Sequence, residues 1–490
     1  MIGEIIENTN NFMKTTSKVE RKKIGQFFTS PLVARFMASL FAIPYKPNLT
    51  VLDAGAGSGI LSAALMERLD SMEHIERVEL TCYEIDEKVL PLLETTLSYL
   101  KEHVHFELVF HIRRENYILS QKLAFTGLEE PSLYDLSIGN PPYKKVGRNA
   151  YEALAMADIC HGAPNLYFLF MAMSLFNLSD GGEMVYIVPR SWTSGAYFKA
   201  FREYLLSHGS IELLHLFSSR DRVFSSESVL QETVIIKVAK KSQSPFIEIT
   251  SSADNSFECL HRITLPSDNV IYGVNKYVYL ITTPEEEQML KAVQKLRYTL
   301  PDLGLRVKTG LTVDFREREY VLNQHEDDAV PMFFAQHIQN GSVSHPIGKS
   351  GEWLRKGKSS LLQKNSNYLF VKRFTSKEEQ RRLQCGIYLS SSFSSYDLIS
   401  TQNKMNFIDN DTHDLSKETV CGLYVLFNST IYDRCYRILN GSTQVNSTEV
   451  NTMPIPSIEI IDRMGRELLR NNDLSTKFCD HILDVNLQKD

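Results

Sequence analysis

The chain of 490 residues is 43% hydrophobic and 23% charged, with a formal net charge of -6. Such a length exceeds one ordinary core and implies two or three domains, in a soluble globular protein with no apolar run long enough to span a bilayer. Seven cysteines, an odd number without a Cys-x-x-Cys pair, argue against a disulfide framework and a zinc site, so no metal is expected and a reducing cytoplasm suits the thiols.

The start, Met1 to Glu7, is acidic and lacks the apolar run of a signal peptide. Next comes Thr50-Val-Leu-Asp-Ala-Gly-Ala-Gly-Ser-Gly-Ile60, a short apolar strand that runs into glycines and then a helical pattern. Gly55, Gly57 and Gly59 let the backbone turn sharply and approach a ligand closely. A Gly-x-Gly-x-Gly is shared with dehydrogenases and plain turns, but Asp53 would repel a pyrophosphate and could hold an ammonium group. The following strand ends in Glu84, placed to accept hydrogen bonds from ribose hydroxyls. S-adenosylmethionine fits both residues.

Leu133 to Gly139 is a further strand-like run, and it ends in Asn140-Pro141-Pro142-Tyr143. The prolines supply carbonyls without N–H donors, Asn140 supplies an amide oxygen, and Tyr143 supplies an aromatic face. That set suits a planar amino group whose ring is taken out of a stack. Alone, the string also reads as an ordinary turn.

Strands are predicted near 50–54, 78–85, 104–112, 133–139, 183–189, 211–217 and 230–239, and helices near 60–70, 86–101, 165–178 and 195–207. Their alternation implies a mostly parallel α/β sheet with helices on both faces. Only a loop joins the last two strands, so they should pair antiparallel. The polar stretch Lys240 to Pro245 breaks the pattern, giving expected domains of 1–245 and 246–490.

Beyond 245 the periodicity weakens. Ten Lys or Arg lie between Val343 and Arg382, among them Lys372, Arg373, Arg381 and Arg382, against only three glutamates. The run is either a solvated face or a phosphate-binding one. The segment Asn440 to Asn451, with Asn440, Gln444 and Asn446, is either a polar loop or a set of amides that reads adenine edges.

The order Gly25-Gln-Phe-Phe-Thr-Ser-Pro31, Asp53 to Gly59, Glu84 and Asn140 to Tyr143 resembles the gamma class of adenine-N6 DNA methyltransferases, the Taq-like modification methylases of type II restriction–modification systems. The resemblance covers roughly residues 21–240, with further matches near 434–456. It implies a Rossmann-like seven-stranded sheet with an antiparallel last strand, and a C-terminal mixed α/β target-recognition domain. Thr29 and Pro31 would close over the methionine end of S-adenosylmethionine, and Asn140 to Tyr143 would bind a flipped adenine. Phe224 would sandwich that base against Tyr143, though a lone Phe is more often core. Asn165 and Tyr167, after the loop, read as cap and packing.

The sequence departs from the family where Asp-Phe is usual. The equivalent is Asn116-Tyr117, an oxygen for the cofactor's amino group and a ring for its base, or else Glu115 by a shift of one. The resemblance further implies double-stranded DNA as partner, a separate cognate restriction endonuclease and action as a monomer. The only Glu-x-Lys in the chain, Glu20-Arg-Lys22, has no Asp or second acidic partner suitably placed upstream, so no fused nuclease is expected. Alternatives are a protein-glutamine methyltransferase, whose extra helical domain precedes the glycine loop, and a non-catalytic DNA-specificity subunit.

Overall fold

β1 (Asn48–Ala54), β2 (Arg77–Tyr83), β3 (Glu107–Arg113), β4 (Tyr134–Gly139) and β5 (Leu178–Pro189) form the parallel part of a large sheet. These elements belong to a computed structural model that describes residues 5, 29–217, 232–253, 256, 257, 259–376 and 378–487. β7 (Thr233–Lys240) lies between β5 and β6 (Gly209–Phe217) and is antiparallel to both, as the short connection between the last two predicted strands requires.

Two predictions need correction. Among the described residues the sheet has nine strands rather than seven, in the order β3-β2-β1-β4-β5-β7-β6-β8-β9. β8 (Phe246–Ser252) pairs parallel with β6, and β9 (His261–Pro266) pairs antiparallel with β8. Residues 240–245 are therefore a turn within the sheet, and the division falls later, into one unit of Met1–Thr283 and another of Pro284–Asp490. Pairing with β8 covers an edge of β6 that would otherwise present unpaired backbone groups.

Helices cover both faces of this sheet. α1 (Pro31–Ser39), α2 (Ile60–Leu69) and α3 (Leu90–His103) share one core with Val185 and Ile187 of β5. The intervening Tyr186 turns the other way and bonds Ser174 of α4 (Leu166–Phe176) through its hydroxyl at 2.6 Å. Because side chains alternate along a strand, the two helical layers lie on opposite sides. Tyr167, which opens α4, is buried there against Phe168 and Phe198, as its packing role requires. No helix among the described residues is long and apolar enough to cross a membrane.

The second unit contains a sheet whose four main strands are β10 (Leu305–Thr309), β11 (Tyr368–Lys372), β12 (Cys385–Tyr388) and β13 (Met405–Asn410), in the order β10-β13-β11-β12. The longer helices that follow among the described residues are α5 (Lys417–Asn428), α6 (Thr430–Leu439), α7 (Ile458–Asn471) and α8 (Thr476–Leu487). α5 and α7 touch backbone to backbone. A Cβ on Gly465 would stand 1.8 Å from the Glu418 carbonyl oxygen, and one on Gly422 would stand 1.8 Å from that of Ile461. Glycine in a helix interior is costly relative to alanine, by about 1 kcal/mol, so its use at both positions answers to this contact. Gly465→Ala should therefore lower the melting temperature despite the better helix former, at an overpacking cost of about 1–3 kcal/mol. Calorimetry that found the variant as stable as the parent would disprove the close approach.

Candidate active site

Asp53 is the penultimate residue of β1, and the turn to α2 contains Gly55, Gly57 and Gly59 with φ of 87°, 55° and 81°. These left-handed values favour glycine over any residue with a Cβ. At Gly59 a Cβ would also lie 2.9 Å from Thr96 Cγ2. The N–H groups of Gly55 and Ala56 both donate to the Tyr83 carbonyl, which holds the turn against the end of β2.

Glu84 completes this tie. Its Oε2 accepts from Gly57 N at 2.9 Å, and its Oε1 accepts from Ile85 N and Asp86 N at 2.8 Å each. Burial pushes its pKa up, against the pull of those three N–H groups. Beyond the predicted ribose contact, Glu84 is thus a fastening for the glycine turn. Beside it Ile85 is 64% exposed, an apolar side chain held out next to the turn. Sequence reading passed over Ile85, because an isoleucine at a strand end looks like core.

Asp53 is fully buried, and its Oδ2 accepts from Ser62 Oγ of α2 at 2.6 Å. Its Oδ1 has no hydrogen-bond partner among the described residues. Loss of water raises the carboxyl pKa to about 7, the Ser62 bonds pull it back, and the nearby Glu84 charge raises it further. A left-handed glycine cradle above an incompletely satisfied buried carboxylate fits a ligand that carries a positive charge.

On the adjacent strand Asn140 follows β4, and its Nδ2 donates to Thr29 Oγ1 at 3.1 Å. That bond assigns the other end of the amide, Oδ1, as the acceptor. Pro141 is buried, and Pro142 and Tyr143 are half-buried. The Tyr143 hydroxyl donates to the Ile187 carbonyl of β5 at 3.0 Å, and its ring meets that of Tyr167 edge-on with centroids 6.3 Å apart. Both side chains are thereby held by neighbouring segments. Thr29 was expected at the cofactor; the structure places it on Asn140. Pro31 opens α1 behind the Ser30 cap, whose side chain accepts from Val33 N.

Other predicted positions fall differently. Asn116 is spent as a helix cap, with Oδ1 accepting from Leu119 N and Nδ2 donating to Glu152. Tyr117 is 2% exposed, packed between Tyr83 and Phe170, with its hydroxyl donating to Asn177 Oδ1 at 2.9 Å. Its ring is core rather than a platform for a ligand. Phe224 lies outside the described residues.

In the second unit the basic run is largely consumed internally. Arg382 is 1% exposed and donates to the Thr375 and Ser442 carbonyls and to Asn440 Oδ1, so it cannot meet a phosphate. Arg381 is half-buried and donates to the Phe427 and Ser429 carbonyls. Arg355, Lys358 and Lys364 pair with Glu326, Glu317 and Asp414. Lys372 and Arg373 stay half-exposed. The amide segment is likewise turned inward: Asn440 Nδ2, Asn446 Nδ2 and the Tyr436 hydroxyl all donate to the buried Glu449. Gln444 is half-exposed, and its amide makes no hydrogen bond among the described residues.

His337, His345 and Glu352 bring three potential ligand atoms within 4.8 Å of one another. His337 Nδ1 accepts from Phe334 N, which leaves Nε2–H to donate to Glu352, and His345 Nε2 meets the Glu352 carbonyl. Hydrogen bonding within the protein accounts for this group.

The Asp53 geometry makes a measurable demand. A carboxyl whose folded pKa exceeds its unfolded value near 3.8 stabilises the fold below that value, and the stability is lost as pH rises through about 7. Asp53→Asn keeps the Ser62 bond and removes the buried charge. It should raise the melting temperature of the unliganded protein at pH 8, with no gain at pH 4, the ceiling being on the order of 4 kcal/mol. Equal melting curves at pH 8 would show that Asp53 is not desolvated.

A family profile described as Eco57I restriction-modification methylase matches residues 70–224. The chain is 35% identical to the type II methyltransferase M.BsuBI of Bacillus subtilis, over 96% of this chain and 95% of that protein. It is 30% identical to the type II methyltransferase M.PstI of Providencia stuartii, over 100% of this chain and 97% of that protein. Among solved structures, the type IIL restriction-modification enzyme MmeI in complex with DNA shares the fold at a TM-score of 0.56 and 13% identity, covering 99% of this chain and 75% of that one. Likeness to the two methyltransferases runs through both units, and the chain belongs to the type II DNA methyltransferases of restriction–modification systems.

Proposed function

We propose that this protein transfers a methyl group from S-adenosylmethionine to N6 of an adenine swung out of duplex DNA, and so protects its sites from a separate cognate endonuclease. The observation that carries the reading is the acceptor-only character of the loop after β4. Asn140 presents its amide oxygen because Nδ2 is committed to Thr29. Pro141 and Pro142 add carbonyls without donors.

An adenine amino nitrogen is a poor nucleophile because its lone pair is delocalised into the ring. Acceptance of its two protons by Asn140 Oδ1 and the Pro141 carbonyl draws the nitrogen toward tetrahedral geometry and localises the pair. Tyr143, its hydroxyl anchored on Ile187, supports the base by stacking. Asp53 would hold the cofactor's ammonium end and Glu84 its ribose, through the lone-pair capacity left beside its backbone bonds. The cofactor, when bound, supplies a sulfonium-activated methyl group. No base is needed before transfer, since the proton becomes acidic only once the nitrogen is quaternised. Alignment and acceptors placed for developing charge supply most of the acceleration.

In this reading residues 1–283 catalyse and residues 284–490 recognise the target, in a monomer acting in the cytoplasm. Tritiated methyl transfer to unmethylated duplex DNA, with a protein substrate as the second arm, tests the substrate class. Transfer to protein alone would overturn it. Asn140→Ala should leave less than about a tenth of the turnover, a barrier increase of at least roughly 1.4 kcal/mol, with cofactor affinity nearly unchanged. Retention of most activity by that variant would refute the acceptor mechanism.

A further inference from the structure

Four loops far apart in sequence meet at one end of the sheet in the second unit. The loop after β10 reaches the loop before β13, since Asn403 N donates to the Thr312 carbonyl at 2.8 Å and Gln402 Nε2 bonds Asp314. The loop after β11 joins them: Arg373 N donates to the Lys404 carbonyl, and Arg373 Nη1 donates to that of Asn403 at 2.8 Å. The segment around Gln444 closes the group, with Val445 N donating to the Arg373 carbonyl at 2.7 Å and Thr375 N to that of Thr443.

This surface has an unusual composition. Phe315 is 61% exposed and Phe374 43% exposed, each with a neighbouring guanidinium over its ring, Arg316 at 5.6 Å and Arg373 at 5.7 Å. Lys404 is exposed beside them, and the amide of Gln444 is unspent. The carboxylates nearest in sequence are engaged, Asp314 by Gln402 and by Phe315 N, and Glu317 by Lys358. Exposed aromatic faces, the cations Arg316, Arg373 and Lys404, which join no ion pair among the described residues, and an amide are the groups that engage nucleic-acid backbones and base edges.

We infer that the loops bearing Phe315–Arg316, Arg373–Phe374, Asn403–Lys404 and Gln444 form the duplex-reading face of the second unit, and that the rest of the basic run, Arg381 and Arg382 included, does not. The inference rests on the proposed DNA substrate and names the side chains that would meet it. Arg316 and Lys404 contact phosphates, while Gln444 and Phe374 meet base edges. Phosphate contacts set register, and edge contacts set sequence choice.

The full-length chain with Arg316→Gln, Phe374→Ser, Lys404→Gln and Gln444→Ala should bind a fluorescent duplex at least tenfold more weakly. Its slope of log affinity against log salt should flatten by about 0.9 per phosphate contact removed. Single-molecule sequencing of unmethylated phage DNA treated with this variant should show a relaxed or altered set of methylated sites. Arg355→Ala with Lys364→Ala, from the internally paired run, should match the parent in both assays. Should the fourfold variant melt early, photocrosslinking of the unaltered chain to a 5-bromouracil duplex decides the matter, with adducts expected on peptides containing Phe315 or Phe374. Adducts confined to other peptides, or parental duplex affinity and site choice in a stable fourfold variant, would overturn the inference and leave the face to another occupant such as a protein. Failure of the enzymatic reading has a different signature: the parent binds duplex through this face and leaves no methylated adenine.

Discussion

Glu84 accepts hydrogen bonds from the backbone N–H groups of Gly57, Ile85 and Asp86, and so joins the end of β2 to the turn that follows β1. The turn cannot hold itself, since three left-handed glycines give it freedom rather than rigidity. What fixes it is this carboxylate together with the Tyr83 carbonyl, which takes the N–H groups of Gly55 and Ala56. Once the turn is fixed, α2 starts in the right place, and Ser62 of that helix reaches Asp53. One acidic side chain thus sets the shape of the cradle before any ligand arrives.

The cradle is costly to the empty fold. Asp53 and Glu84 are buried at the ends of adjacent strands, and the charge of Glu84 helps to raise the Asp53 pKa. A positively charged ligand would relieve both burdens at once. Such sites commonly trade stability for function, and the buried pair gives that trade a location. Asn140 and Tyr143 are handled differently: neutral hydrogen bonds tie them to other segments, Asn140 to Thr29 and Tyr143 to the Ile187 carbonyl.

Much of the first unit was legible because its signals are local. Strand periodicity, the glycine spacing and the Asn-Pro-Pro-Tyr string each depend on near neighbours. Where partners lie far off in sequence, the reading failed. Arg382 looked like a phosphate ligand because sequence shows its charge and hides Thr375, Asn440 and Ser442, which enclose it. Tyr117 looked like a stacking platform, yet Tyr83 and Phe170 bury it. Asn116 caps the short helix it precedes and bonds Glu152, partners that sequence alone did not show. The bond between Asn140 and Thr29 could not be read from sequence, since only the fold brings residues 29 and 140 together.

The two strands beyond β7 bear on how the first unit could stand alone. A fragment ended at 245 would strip β8 from Leu213–Phe217 and leave the hydrogen-bonding edge of β6 bare beside a buried apolar strand. Bare edges of that kind recruit other chains. A fragment that keeps residues up to 283 carries its own cover, with β9 as a short outer strand bearing the exposed His261 and Arg262. The turn at 240–245 is where the chain reads as divisible, and it is where division would most readily produce aggregates.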